Sequence, residues 1–215
     1  MVAMPFHGVR DGRLMDLSFA QVENALALTH GIVDEKRSAF ASRLKHLQKL
    51  GFPPGTNTGR GRAANYRAEH LFLLGVVLEL NQLGVSPERA IAVAQAGLPS
   101  IARGIRNIIR AGPPSGGRSK TFFFAFDPAV LADLMGMDTD EQRKSISARC
   151  IGLKTFRGAI ERWGEWGLRR LALVNLSQLI WDLAEFSQGS PTEQKVFFED
   201  LFLWAETVVR PDGDT

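Results

Sequence analysis

Eight lysines and arginines stand against one acid, Glu35, between residues 35 and 67. Arg43, Lys45, Lys49, Arg60, Arg62 and Arg67 belong to this stretch, and Ser42, His46, Thr56, Asn57 and Thr58 lie among them as hydrogen-bonding side chains. Tyr66 completes the candidate set, with a core role fixing the neighbouring segment as its plainer reading. The chemistry this pattern suits is non-covalent. Ammonium and guanidinium groups pair with phosphate oxygens, while hydroxyls and amides reach phosphates or base edges. Solubility alone would be served by mixed signs, so a concentrated field of one sign points to a polyanionic partner. The field is local: residues 1–112 hold 14 Lys and Arg against 8 Asp and Glu, whereas residues 113–215 hold 12 against 15.

No catalytic or metal-binding set competes with this reading. His7, His30, His46 and His70 are scattered without a paired spacing on one helix face, so no metal is expected. The single cysteine, Cys150, excludes an internal disulfide and has no evident histidine partner; a buried thiol is the simpler role. "GPPSGGRS" (112–119) imitates a phosphate-binding loop but has Arg118 where lysine belongs, and it follows a helical segment instead of a strand. We expect no enzyme activity, no catalytic residues and no cofactor.

The residues that could do this chemistry need elements to position them. Residues 17–28 read as a helix with Ser18 as N-cap and Phe19, Val22, Ala25 and Leu26 at helical spacing. "THGIVDEK" reads as a loop. A second helix spans about 34–50, closes at Gly51, and carries Phe40, Leu44 and Leu47 as its apolar stripe. Ser38, Ser42, Lys45 and Lys49 fall opposite, with His46 at the border. "PPGTNTGRGRAANY" reads as two short extended strands around a glycine-rich turn. Helices follow at about 68–83, at 86–97 with Ser86 as N-cap and Pro87 at the first position, and at 99–112.

Past a linker at 112–119 the composition changes: all four tryptophans (163, 166, 181 and 204) lie there. "KTFFFAF" reads as a buried strand, Asp127-Pro128 as the start of a helix to about Met135, and 138–165 as mostly helical with polar breaks. "RRLALVNLS" is a second strand, leading through Asn175 or Ser177 into "QLIWDLAEFS", and Ser190-Pro191-Thr192-Glu193 opens a final helix. The aromatic stripe of that helix suits a core or a dimer interface; a ligand pocket lined by the tryptophans is the sharper alternative. The longest apolar run, "LFLLGVVL" (71–78), is too short to span a bilayer. The N-terminus carries no secretion-signal pattern.

This order of elements resembles the MerR-type winged-helix DNA-binding domain over about residues 17–96. Lys45 and Leu47 stand before Gly51-Phe52, Arg60 and Arg62 lie in the segment matching the wing, and Tyr66 precedes "RAEHLFLL". Leu83-Gly84-Val85-Ser86 supplies the turn before the last helix of the domain. The chain departs from the family in having Lys45 where arginine is usual, Leu47 for the usual tyrosine, and Ala64 where a wing arginine is usual. The resemblance implies a winged helix-turn-helix domain that reads the major groove with helix 34–50 and the adjacent backbone or minor groove with its wing.

We therefore expect a mainly α (α+β) protein. A DNA-binding domain at 15–112 would be joined by the 112–119 linker to a small α+β domain of about two strands at 120–215. The expected function is sequence-specific binding of double-stranded DNA as a transcriptional regulator, cytoplasmic and nucleoid-associated, with no membrane partner. Pro99, Gly104 and Gly112 interrupt the long dimerising helix usual in the MerR family, so a homodimer is expected through the C-terminal region. That region could also receive a small-molecule effector, though no residue specifies one. An excisionase-like or architectural DNA-binding protein is one alternative. An antitoxin or adaptor whose basic face meets an acidic protein is another.

Overall fold

A computed structural model describes residues 15–56, 64–112, 121–128, 148–161, 170–187 and 191–209. The chain is mostly helical, with one small antiparallel sheet. Helix α1 (Phe19–Thr29) starts at Ser18, whose hydroxyl accepts the Gln21 N–H while the Gln21 side chain accepts the Ser18 N–H. This reciprocal pair satisfies two N-terminal donors. A single 3₁₀ turn (Asp34–Lys36) leads into α2 (Arg37–Lys49), which buries Phe40, Leu44 and Leu47 as the spacing predicts.

Helix α2 ends where expected. Gly51 takes φ +80°, its N–H bonds to Gln48 O, and the Phe52 N–H reaches back to Leu47 O at 3.0 Å. A residue with positive φ lets both closing bonds form, and Phe52 and Leu47 are both buried in the same core. Helix α3 (Ala68–Gln82) closes in the same way through Gly84, with Val85 N–H bonded to Leu80 O. Helix α3 is buried nearly all round, including the run Leu71 to Leu78. It is a central rod contacted by α1, by the helix that follows it and by the last two helices of the described residues. Ser86 caps α4 (Pro87–Ala96) by accepting the Arg89 N–H, with Pro87 in the first turn. Helix α5 (Leu98–Ala111) follows directly after Gly97 and buries Ile101, Ile105 and Ile108.

The first arm of the expected glycine-rich hairpin is not extended. Residues 53–56 form a turn in which Thr56 N–H and Oγ1 both donate to Pro53 O, after a cis Phe52–Pro53 peptide. The second arm finds another partner: Leu17 and Tyr66 exchange both backbone hydrogen bonds, at 2.8 and 2.9 Å. Proline cannot donate to a ladder, and the two residues between Pro53 and Thr56 suffice for a turn.

Strand β1 (Phe122–Phe126) is the middle of the sheet, flanked antiparallel by β2 (Ala148–Gly152) and β3 (Ala172–Asn175). The β1–β3 pair is the one expected. Strand β2 is an addition within the stretch assigned to helix; helix α6 (Leu153–Glu161) begins only after it. "ARCIG" carries a weak local strand signal, and its pairing with the edge of β1 and packing on α5 decide its state. Helix α7 (Leu176–Ser187) is capped by Asn175, whose side chain accepts the Gln178 N–H; Ser177 instead accepts the Phe122 N–H and ties α7 to β1. Helix α8 (Pro191–Val209) lies along α5, where Glu206 Oε1 sits 2.5 Å from Arg106 Nε and 3.5 Å from Arg110.

Buried side chains from both sides of the 112–119 segment form one continuous cluster. Helices α7 and α8 pack directly on α1, α3 and α5. The segment expected as a linker therefore does not divide two cores. Gly75 is one device that permits this: a Cβ there would sit 3.2 Å from Leu183 and 3.3 Å from Leu179 on α7. Asp127 and Pro128 are described, but the helix expected after them to Met135, the capping Ser190, and Trp163 and Trp166 lie outside the described residues. Trp181 lies 4.4 Å between centroids from Phe198 of α8, tilted by 50°, and with Trp204 it packs against the core. No helix among the described residues is long and apolar enough to cross a membrane.

Candidate nucleic-acid interface

Burying Phe40, Leu44 and Leu47 turns the rest of α2 outward. Ser42, Arg43, Lys45, His46 and Lys49 are all exposed on it. The Ser42 hydroxyl donates to Ser38 O at 3.0 Å, leaving its oxygen lone pairs toward solvent. Lys45 Nζ lies over the ring of Phe19, 5.8 Å from its centroid. His46 Nε2 is 3.7 Å from Glu88 Oε1 at the start of α4. Beside this face runs a shallow groove of about 420 Å³, lined by Ser42, Arg43, His46, Asn81, Gly84 and Pro87. Arg37 behaves differently: half-buried, it is tied to Glu23 at 3.2 Å and Asn24 at 3.3 Å, and so braces α1 against α2.

Two candidate residues are corrected by their burial. Thr56 is 1% exposed, and its hydroxyl is used by Pro53 O inside the turn, so it offers nothing to a phosphate. Tyr66 is also 1% exposed; its hydroxyl accepts from the Gln48 side chain of α2. That is the core role, a fastening of residue 66 to α2. Arg67 is exposed and adjoins this point, so it remains on the candidate face. Asn57, Thr58, Arg60 and Arg62 lie outside the described residues.

The root of the 57–63 segment is held by His70. Its Nδ1 accepts the Arg67 N–H at 3.1 Å, and its other nitrogen donates to the Pro54 carbonyl. Burial and then the Arg67 charge hold its pKa below the ordinary value, partly opposed by the Pro54 bond. The neutral ring is the form that can accept on one side and donate on the other. Nearby, burial pushes the Glu69 and Asp200 carboxyls above their ordinary range; Arg67 and backbone hydrogen bonds oppose the shift. Asp200 accepts the backbone N–H of Met15, which anchors the first described residue to α8.

These shifts have opposite consequences. Glu69 and Asp200 titrate at higher pH folded than unfolded, so their contribution to stability is full below the unfolded value and is lost as pH rises through the folded one. His70 is depressed, so its contribution is present above its unfolded value and is lost as pH falls. Glu69→Gln removes the Glu69 share of the first effect. Its thermal midpoint should exceed that of the wild type by on the order of 2 °C at pH 8, and the gain should shrink towards pH 4, as followed by circular dichroism.

Phe19, Gln48, His70 and Glu88 are the positions whose part here sequence reasoning missed. Each acts through a partner 18 or more residues away or, for His70, through backbone groups, and no local spacing marks such contacts. Among the described residues, no three His, Cys, Asp or Glu side chains group to hold a metal ion. Comparisons with family models, curated proteins and solved structures find no match to this chain.

Proposed function

We propose that the chain binds double-stranded DNA in a sequence-specific manner and acts as a transcriptional regulator. In this reading residues 17–96 form a MerR-like winged helix-turn-helix module. Helix α2 enters the major groove, and the basic segment 57–67 follows the adjacent backbone. The observation that carries the reading is the outward face of α2: Ser42, Lys45 and Lys49 share the side opposite the buried stripe, His46 lies at its border, and Arg43 is exposed on its flank. A rigid helix can present short polar groups to base edges while its cations meet phosphates. The fastening of Tyr66 to Gln48 supports a common orientation for α2 and the start of Arg67.

A homodimer through the C-terminal region belongs to the same proposal, since two copies would set two α2 helices on symmetric half-sites. The exposed Leu203 of α8 and Phe186 of α7 are apolar side chains that a second copy could cover. The test is selection of duplexes from a randomised pool. Wild-type protein should enrich one sequence family, and the double variant Lys45→Ala/Lys49→Ala should not. Equal recovery of all sequences by both proteins would refute specific recognition.

A further inference from the structure

We infer that Phe19 is a positioning residue for Lys45, holding its ammonium ready for a phosphate or base on the DNA; this role rests on the reading proposed above. Phe19 is the first residue of α1 and only half-buried, so burial alone does not account for an aromatic side chain there. Its ring is backed by Tyr66, 6.5 Å away between centroids and tilted by 52°. Tyr66 is itself fixed by the Gln48 hydrogen bond and by the two backbone bonds to Leu17. Phe19 is therefore a braced platform at the junction of α1, α2 and the base of the 57–63 segment.

A lysine ammonium sits on a flexible four-carbon stem and is strongly hydrated, so a free lysine samples many directions. The negative face of an aromatic ring attracts that ammonium within about 6 Å of its centroid. The observed 5.8 Å falls within that reach. The ring takes one side of the ammonium and leaves N–H donors on the other for an acceptor. Restricting Lys45 before DNA arrives lowers the ordering cost of binding.

The test separates the ring contact from the DNA reading. Phe19→Leu keeps apolar volume but loses the aromatic face, and Phe19→Tyr keeps that face. In the free protein, the Lys45 Hε protons should show an upfield ring-current shift by NMR, absent in Phe19→Leu and retained in Phe19→Tyr. With the selected duplex, Phe19→Leu should weaken binding about 3-fold, and Phe19→Tyr should restore it. In a Lys45→Ala background Phe19→Leu should have no further effect, while in a Lys49→Ala background it should keep its full effect. A wild-type Lys45 without the ring-current shift would overturn the proposal. So would an equal loss from Phe19→Leu with and without Lys45, because the ring would then be acting as structure alone. If the shift is present but Lys45→Ala binds DNA as the wild type does, it is the DNA reading of α2 that fails, and the positioning role falls with it.

Discussion

Gly97→Ala is expected to destabilise the protein by about 3 kcal/mol, lowering its thermal midpoint by roughly 9 °C. Gly97 joins α4 to α5 with φ −81°, a conformation open to any residue, so backbone freedom is not its purpose. Space is. A Cβ at this position would stand 2.5 Å from Cε2 and 2.6 Å from Cζ of Phe124. Phe124 is fully buried in the central strand and stacks on Phe126 at 5.8 Å between centroids, so its ring has little room to retreat. The α4–α5 corner must move off the sheet instead, and in a close-packed interior that loosens its neighbours too. Urea unfolding checks the expectation: the midpoint should fall with little change in slope. Adding Phe124→Leu should recover part of the loss. An unchanged midpoint would mean that the corner does not rest on Phe124.

Lys45→Ala/Lys49→Ala should cost about 20-fold in affinity for the selected duplex near 0.1 M salt. Phosphate contacts release condensed counterions, and each one removed makes the dependence of log affinity on log salt shallower by roughly 0.9. The double variant should therefore lose nearly two units of slope as well as affinity. Both side chains are exposed and neither packs in the core, so circular dichroism and the thermal midpoint should be close to wild type. Loss of affinity with an unchanged salt slope would show that these lysines do not meet phosphates. Salt-dependent anisotropy measurements give both quantities from one titration.

The contrast between these two positions shows what was legible in the sequence. The α2 face was readable because a 3.6-residue period fixes which side chains share a side, and the terminating Gly51 and Gly84 mark their helix ends chemically. The caps at Ser18 and Ser86 were legible for the same local reason, and the cap of α7 was narrowed to Asn175 or Ser177, of which Asn175 serves. Gly97 appeared only as the end of a helix, since nothing local announces that Phe124 will approach it. Strand β2 was hidden likewise: Cys150 is held by Ser100 and by close approach to Gly104 on α5, and both are contacts across about fifty residues. The shared core was hidden by a proline- and glycine-rich stretch at 112–119 that looks like a boundary, although the apolar faces on its two sides need each other. Thr56 was misjudged because a hydroxyl suited to phosphate is equally suited to closing its own turn.

Site-directed crosslinking from the middle of α2 tests the account most directly. Ser42→Cys places a reactive thiol on the exposed face. The native Cys150 does not compete, because burial pushes its thiol up to about 12 and keeps it protonated. A photoactivatable thiol reagent at position 42 should crosslink to bases of the selected duplex, at major-groove positions within one half-site, and unlabelled specific duplex should abolish the product. The same reagent at the exposed Thr207 of α8, introduced as Thr207→Cys, should give none. Equal crosslinking from both positions, or none from position 42 while the protein holds the duplex, would contradict the placement of α2 against the bases.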